Sequence, residues 1–509
     1  MQSAAIIFYI DDGHYHQERV KEMSNVKVKE RAELKKVMNL RDVMALAFGT
    51  MIGWGWIMLA GVWVSAAGVV GAIAAFLIGA VLCIFVGLTY AELTPALPLA
   101  GGELVFSYRG LGYKASWFTG WMITFAYVGV AAWEGPAMVT AIDYLISLPR
   151  FGYLWTVAGF DVYLSWVLVG SLGGLILAYV NYRGAKPAAV FQTVATIAMA
   201  TGGILFFFGG VGFGSVSNML PLTTNASGLV VVLLMVPAMF VGFDVIPQAA
   251  EEMNIPLRSI AKVLILSILM AAAWYIIMIV GISLCAPQDV RDAAAIPVAD
   301  SFAHVLNSPA AGKFMIVAAL CGIMTSWNGF ILGATRVIFA MGRAKMLPPV
   351  FGKVHPKYQT PTAAIILVGL ITCLSPLLGK SALVWFVDAS AFGTVVAYCM
   401  VACSFVALRK KEPDLARPYM VKSGGLIGII AVAVAVFFIM LYLPIFTPGL
   451  VWPYEWFMVF GWIILGAVLL VLNQKAYPNV PAEEREYLMF GDDYMREGLK
   501  YTGSKEIKY

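Results

Sequence analysis

The stretch Gly49-Thr50-Met51-Ile52-Gly53-Trp54-Gly55-Trp56 decides how this chain is read. Three glycines fall within seven residues of an otherwise apolar run. A second stretch of the same kind, Pro237-Ala238-Met239-Phe240-Val241-Gly242-Phe243-Asp244 followed by Pro247, lies further along. Glycine and proline are the poorest helix formers, so each stretch predicts an interrupted helix. In lipid, an interrupted backbone survives only where protein or a wet cavity satisfies its freed N–H and C=O groups. Close helix packing through small residues equally explains an isolated Gly-xxx-Gly. The position of the two stretches among the membrane spans favours the cavity.

The surrounding chain is a membrane protein by composition. Of 509 residues, 61% are hydrophobic and 12% charged, and the mean hydropathy is +0.83. Soluble domains carry about 25% charged residues. Val43–Ala91 and Pro187–Phe243 contain no Asp, Glu, Lys or Arg, and each is long enough for two spans at ~20 residues per span. Six single-span windows and two spans with one acid each, Glu134 and Asp388, bring the expectation to twelve transmembrane helices. A β-barrel is excluded, because its strands alternate every second residue. The predicted division is a tail over 1–40, a first repeat over 41–210, a second over 228–410, two additional helices over 424–475 and a tail over 476–509. Residues 1–22 lack the basic character of those that follow, which makes Met23 an alternative start.

With both termini inside, the outer loops hold only Arg150, Arg291, Lys313 and Lys380, as the positive-inside rule requires. The net charge of +5 therefore reflects topology and gives no reason to expect nucleic acid as a partner. The six cysteines lie mostly inside apolar helices, without an outer-loop pair to form a disulfide framework. The four histidines fall in tails or loops, and neither an HExxH, a GxSxG nor a phosphate-binding loop occurs. Hydrolysis and ATP-driven pumping lose their usual parts, so an enzyme is not expected. A channel would need a repeated filter or ring of charges, and none recurs.

The two glycine-rich breaks head the first and sixth spans, and thus the two halves of a 5 + 5 arrangement. Five spans per half make the second half enter from the opposite side, an inverted repeat. Matching breaks in two such halves point to a transporter's binding site. The half-helix after each break presents free N–H groups and a positive dipole end to a carboxylate, and the half before it presents carbonyls to an ammonium group or metal cation. A zwitterionic amino acid carries both charges. Beyond Asp42 the first span has no acid to repel a carboxylate.

These residues resemble the amino acid–polyamine–organocation superfamily of secondary transporters, from about Asn39 to Pro418. The resemblance rests on GTMIGWG at Gly49–Gly55, ALPLAGGELVFSYRGLG at Ala96–Gly112 and FVGFDVIPQAAEEMNIPLRSI at Phe240–Ile260. ATRVIFAMGRAKMLPPVFGKVHPKYQTP at Ala334–Pro361 and DASAFGTVVAYCMVACSFVALRKKEPDLARPY at Asp388–Tyr419 complete it. It implies an all-α, leucine-transporter-type inverted repeat working by alternating access, with two extra helices. It further implies a substrate site formed by Met51, Ile52, Gly53, Trp54, Gly55 and Trp56, with Phe240, Gly242 and Phe243 as the other wall. Ala238 stands where relatives often carry a gating aromatic, which either passes that role to Phe240 or leaves a larger pocket. Gln192 is in place, but Met199 stands where many sodium-independent relatives have lysine. A sodium site of Gly49, Ile52 and Gly322 carbonyls with Thr325 and Ser326 hydroxyls is implied, against the simpler reading that both hydroxyls bond to their own helix.

Intramembrane acids are functional candidates. Asp244 is a proton or gating candidate, or a partner for freed backbone N–H groups. Glu134 is expected toward the outer end of the third span, as a gate, a recogniser of a cationic side chain or a group facing water. Asp388 is placed similarly in the tenth span. Glu92, Glu251 and Glu252 are expected to pair with Arg109, Arg258 or Arg343 at the inner side, with Arg336 snorkelling or joining them. Asn225-Ala226-Ser227 fits a glycosylation sequon. The expectation is therefore an amino acid permease of the cell membrane, a symporter coupled to sodium or protons, without a cofactor. An amine transporter of the polyamine or ethanolamine type and an exchanger are the alternatives. Oligomeric state and the particular substrate are not legible.

Overall fold

The structure, a computed structural model, describes residues 31–380, 382–444 and 449–495. The N-terminal residues before 31, including the Met23 question, and the C-terminal end lie outside the described residues. Helix α1 (Leu40–Met51) starts at a capping box: Asn39 Oδ1 accepts from Asp42 N at 3.1 Å, and Asp42 Oδ2 accepts from Asn39 N at 3.1 Å. Helix α2 (Gly55–Ala96) follows after a three-residue gap. Within α2, Gly68 has φ +71°, a conformation that favours glycine. The Trp63 and Phe76 rings lie 4.6 Å apart, whereas thirteen residues of straight helix would separate them by about 20 Å. The chain therefore folds back at Gly68, and α2 is two antiparallel legs.

The remaining helices are α3 (Glu103–Leu111), α4 (Tyr113–Ile146), α5 (Leu164–Arg183), α6 (Ala185–Phe213), α7 (Ala226–Met239), the short α8 (Val245–Gln248) and α9 (Leu257–Cys285). After these come α10 (Gln288–Ala293), α11 (Pro297–Val305), α12 (Pro309–Arg343), α13 (Thr362–Leu374), α14 (Ala382–Lys411), α15 (Gly424–Tyr442), α16 (Tyr454–Ala476) and α17 (Ala482–Tyr494). Among the described residues, nine helices are long and apolar enough to cross a membrane, and α7 and α13 are shorter apolar helices. The chain is thus an all-α membrane protein with one departure. A two-stranded antiparallel hairpin, β1 (Tyr153–Val157) and β2 (Phe160–Tyr163), turns at Ala158 and Gly159, which have φ of +46° and +79°.

Burial sorts the helices. Helices α4 and α12 are mostly enclosed, while α5, α6 and α16 show rows of exposed leucine, isoleucine and valine such as Leu168, Leu172 and Leu175. Exposed apolar surface on this scale needs lipid. All six cysteines are free thiols. Asn225 caps α7, its Oδ1 accepting from Gly228 N at 2.8 Å, so the sequon triplet has a structural reason to exist.

The ion pairs at one end of the bundle correct the expected partners. Glu251 does pair with Arg343, at 2.9 Å. Glu252 takes Arg336, at 2.9 Å, so Arg336 joins the network. Glu92 pairs with Arg409 and, at 3.0 Å, Arg417, and Arg109 pairs with Glu412 at 2.8 Å. The reason is tertiary: α14 brings its basic end against α2 and α3, which local spacing does not reveal. Around Glu251, burial would raise the carboxyl, but the Arg343 and Arg31 guanidinium groups and the Leu34 N–H hold it down at about 2.

Candidate functional site: a cavity between two helix breaks

Both predicted interruptions exist. Ile52–Trp54 separates α1 from α2, and Phe240–Asp244 separates α7 from α8. They meet in the middle of the bundle. Gly242 has φ +132°, and a Cβ there would sit 2.8 Å from Met51 N, so glycine is required both by conformation and by the close approach. The Tyr275 hydroxyl on α9 reaches the last carbonyls of both half-helices, Met51 O at 3.0 Å and Met239 O at 2.9 Å.

Beside this junction lies a cavity of about 90 Å³. Met51, Gly53, Trp54 and Gly55 line it, as expected for the first break. Ile52 and Trp56 do not: both are fully buried, and the Trp56 ring packs edge-on against Trp274 at 5.4 Å. On the sixth-span side the lining residues are Ala238, Met239 and Val241. Phe240, Gly242 and Phe243 are not among them. Phe240 packs against Phe76 and Tyr275, and Phe243 against Tyr90 and Tyr398. The break turns these two rings into aromatic clusters, leaving small and flexible side chains to face the hollow. A gating role for Phe240 therefore has no geometric support in this conformation.

Glu134 is the charged residue of the lining. It is 1% exposed and stands against the first break, where a Gly53 Cβ would meet Glu134 Oε1 and Ser326 Oγ at 2.9 Å each. Ser326 hydrogen-bonds the carboxylate, and Glu134 Oε2 has no hydrogen-bond partner. Counting residues along the third span set Glu134 toward its outer end, as a gate, a recogniser of a cationic side chain or a group facing water. The structure instead places this acid at the centre, because α4 is a 34-residue helix that outruns a bilayer core.

Asp244 does not line the cavity. Its Oδ1 accepts from Gly242 N at 2.7 Å, and its carboxylate also accepts from Tyr127 at 2.8 Å and Tyr398 at 3.2 Å. It satisfies the backbone freed by the break, as one of its two readings foresaw. Asp388 also lies off the cavity, facing Tyr442 and Glu455.

The residues of the expected cation site converge. A Cβ on Gly322 would lie 3.1 Å from Ile52 O, and one on Gly49 would lie 3.2 Å from Thr325 Cβ. Thr325 Oγ1 donates to Gly322 O at 2.9 Å, the back-bonding arrangement. Met199 Sδ would lie 3.1 Å from that same Gly322 Cβ, so position 199 does face the site. Gln192 ties α6 to α1 by donating to Ala45 O at 3.3 Å. Sequence reasoning missed Trp133, Tyr275, Ser390 and Thr394. The i, i+4 spacing of Ser390 and Thr394 was a signal for a shared helix face, whereas Tyr275 sits in an unbroken apolar helix with nothing to mark it.

Comparison with known proteins accords with this architecture. A family model described as amino acid permease matches residues 38–469. The methylthioribose transporter of Bacillus subtilis (strain 168) is 24% identical over 87% of this chain and 94% of its own length. The branched-chain amino acid permease BcaP of the same organism is 26% identical over 88% and 95%. Human cationic amino acid transporter 4 is 26% identical over 74% of this chain and 60% of its own length. With the match covering most of its length, the chain belongs to the amino acid permease family.

Proposed function

We propose that this protein is a secondary transporter that carries an amino acid across the cell membrane by alternating access, coupled to a cation. Counting the two legs of α2 separately and adding α7 and α13 to the long apolar helices gives twelve spans. These arrange as a first repeat over 41–210, an inverted second repeat over 228–410 and two further helices over 424–475. Both termini are cytoplasmic, in keeping with the sparse basic residues of the other side. The observation that carries the reading is the meeting of two helix breaks over a small cavity with one unsatisfied carboxylate oxygen.

The N–H groups of Gly53, Trp54 and Gly55 and the positive end of α2 receive the substrate carboxylate. Glu134 Oε2 receives the ammonium group. An apolar side chain then lies along Ala238, Val241 and Phe330. Proton coupling is favoured over sodium. Thr325 is already engaged with Gly322, Ser326 with Glu134, and a soft thioether from Met199 borders the site. Sodium is the second reading, supported by the convergence of Gly49, Ile52, Gly322, Thr325 and Ser326.

The deciding experiment is uptake into proteoliposomes, with a panel of neutral and cationic amino acids, polyamines, ethanolamine and methylthioribose. Sodium and pH gradients are imposed separately. Saturable, counterflow-competent uptake of an amino acid driven by an inward proton gradient is expected. Uptake of an amine alone, or ion conductance without counterflow, would replace the reading.

A further inference from the structure

A second acid, Glu103, lies beneath the sixth-span break at the start of α3, fully buried and away from the cavity. It is connected to Asp244 through side chains. Gln248 Nε2 donates to the Glu103 carboxyl and lies 3.4 Å from the Tyr127 hydroxyl. Tyr127 in turn donates to Asp244 Oδ2 at 2.8 Å. The groups facing this chain are Tyr90 from α2, Tyr398 from α14, with Cys83 behind it, and the Gly242 N–H. Among the described residues, neither acid forms an ion pair with lysine, arginine or histidine.

Two enclosed carboxylates without a cation would be very unfavourable, since like charges and burial both oppose double ionisation. The hydrogen bonds tell the two acids apart. Asp244 accepts from one backbone N–H and two tyrosine hydroxyls, the environment of an ionised carboxylate. Glu103 Oε1 and Gln248 Oε1 are buried acceptors in side chains already in contact, and besides Gln248 the donors that face the Glu103 carboxyl are the Tyr90 hydroxyl and its own backbone N–H. A proton on Glu103 turns one of these acceptors into a donor. Rotation of the Gln248 amide then satisfies both, since amide oxygen and nitrogen are interchangeable by that flip. Burial, followed by the nearby Asp244 charge, raises the Glu103 carboxyl well above its usual range.

We propose that Glu103, Gln248, Tyr127 and Asp244 form a proton-binding site in which one proton sits on Glu103 and is shared with Gln248. The proton comes from water and returns to water when α8 separates from α3. As a binding site it stands apart from the transport reading; its use in coupling rests on that reading.

Infrared spectra of the purified full chain in lipid nanodiscs test it through the C=O stretch of a protonated carboxyl. The wild-type minus Glu103→Gln difference is expected to show one such band at neutral pH, and Asp244→Asn is expected to keep it. Gln248→Leu, which leaves Glu103 in place, should move the band to higher frequency as the O–H loses its acceptor. Absence of the band from the wild-type difference, or a band unmoved in Gln248→Leu, overturns the proposal. In proteoliposomes, Glu103→Gln should lose at least tenfold of the stimulation by outside acid while keeping amino acid counterflow. Unchanged stimulation would remove the site from coupling. If the wild type takes up no amino acid at all, the transport reading fails, and the infrared result still decides the proton site.

Discussion

The Tyr275 hydroxyl lies 3.0 Å from the carbonyl oxygen of Met51, where α1 stops. The same hydroxyl lies 2.9 Å from Met239 O, where α7 stops. One side chain on an unbroken helix thus ties the carbonyl ends of both interrupted helices, at the point where their dipoles are most negative. Tyr275→Phe keeps the ring packing against Phe76 and Trp63 but frees both carbonyls. A lost hydrogen bond with a desolvated acceptor left behind costs about 1–3 kcal/mol. A lower melting temperature and a several-fold rise in KM, measured on the same preparation, are expected. An unchanged KM would show that the two breaks hold their geometry without this tie.

Gly242 is the tightest point of the junction. Alanine there meets the Met51 N–H at 2.8 Å and must adopt φ +132°. Such strain costs roughly 1–3 kcal/mol for the conformation alone. Gly242→Ala is expected to fold with reduced thermal stability and to lose most uptake, because relieving the clash pushes α1 away from α7. Retained uptake at wild-type affinity would mean that the breaks need not touch for binding.

The interrupted spans could be read from the sequence because glycine and proline at those positions violate a local rule that only a cavity or tight packing explains. What could not be read was direction. Periodicity does not survive a break, so Phe240 and Phe243 looked like walls of the site, yet both turn into aromatic clusters. Glu134 was misplaced for a related reason: its height depends on where α4 begins and how far it outruns the bilayer. Glu103 drew no notice in its glycine-flanked motif, because its meaning lies in Gln248 and Asp244, 145 and 141 residues away.

Glu134→Gln separates substrate recognition from structural roles. The carboxylate is enclosed, and its Oε2 has no partner within the protein. If that oxygen receives the substrate ammonium, loss of a charged hydrogen bond removes about 1.5–3 kcal/mol, roughly a 10–100-fold rise in KM. The melting temperature should not fall, since the neutral amide avoids the burial of charge. Uptake kinetics paired with thermal unfolding check both halves. An unaltered KM would place the ammonium against the Met51 and Met239 carbonyls instead.

Replacing sodium by choline at a fixed pH gradient should change uptake less than twofold, and Thr325→Ala should behave as the wild type in both salts. The reason is the Thr325 hydroxyl, already bonded to Gly322 O at 2.9 Å, beside the thioether of Met199. If uptake instead collapses without sodium and Thr325→Ala removes the dependence, the converging carbonyls of Gly49, Ile52 and Gly322 form a sodium site after all. Met199→Lys would then be expected to restore uptake in choline, its ammonium taking the place of the ion.

The Glu251–Arg343 pair predicts an acid limit to stability. The Glu251 carboxyl is held at about 2 in the folded protein against 4.5 as its ordinary value. A carboxyl lowered by folding stabilises the native state fully above its unfolded value, and that contribution fades as pH falls from 4.5 toward 2. Melting temperature in detergent should therefore be flat with respect to this group near neutral pH and decline through that acid window. Glu251→Gln should melt lower at neutral pH, because Arg343 and Arg31 lose their charged partner, and should show a shallower decline in acid. Parallel pH curves for the two proteins would mean that the pair contributes no pH-dependent stability and that other carboxylates set the acid limit.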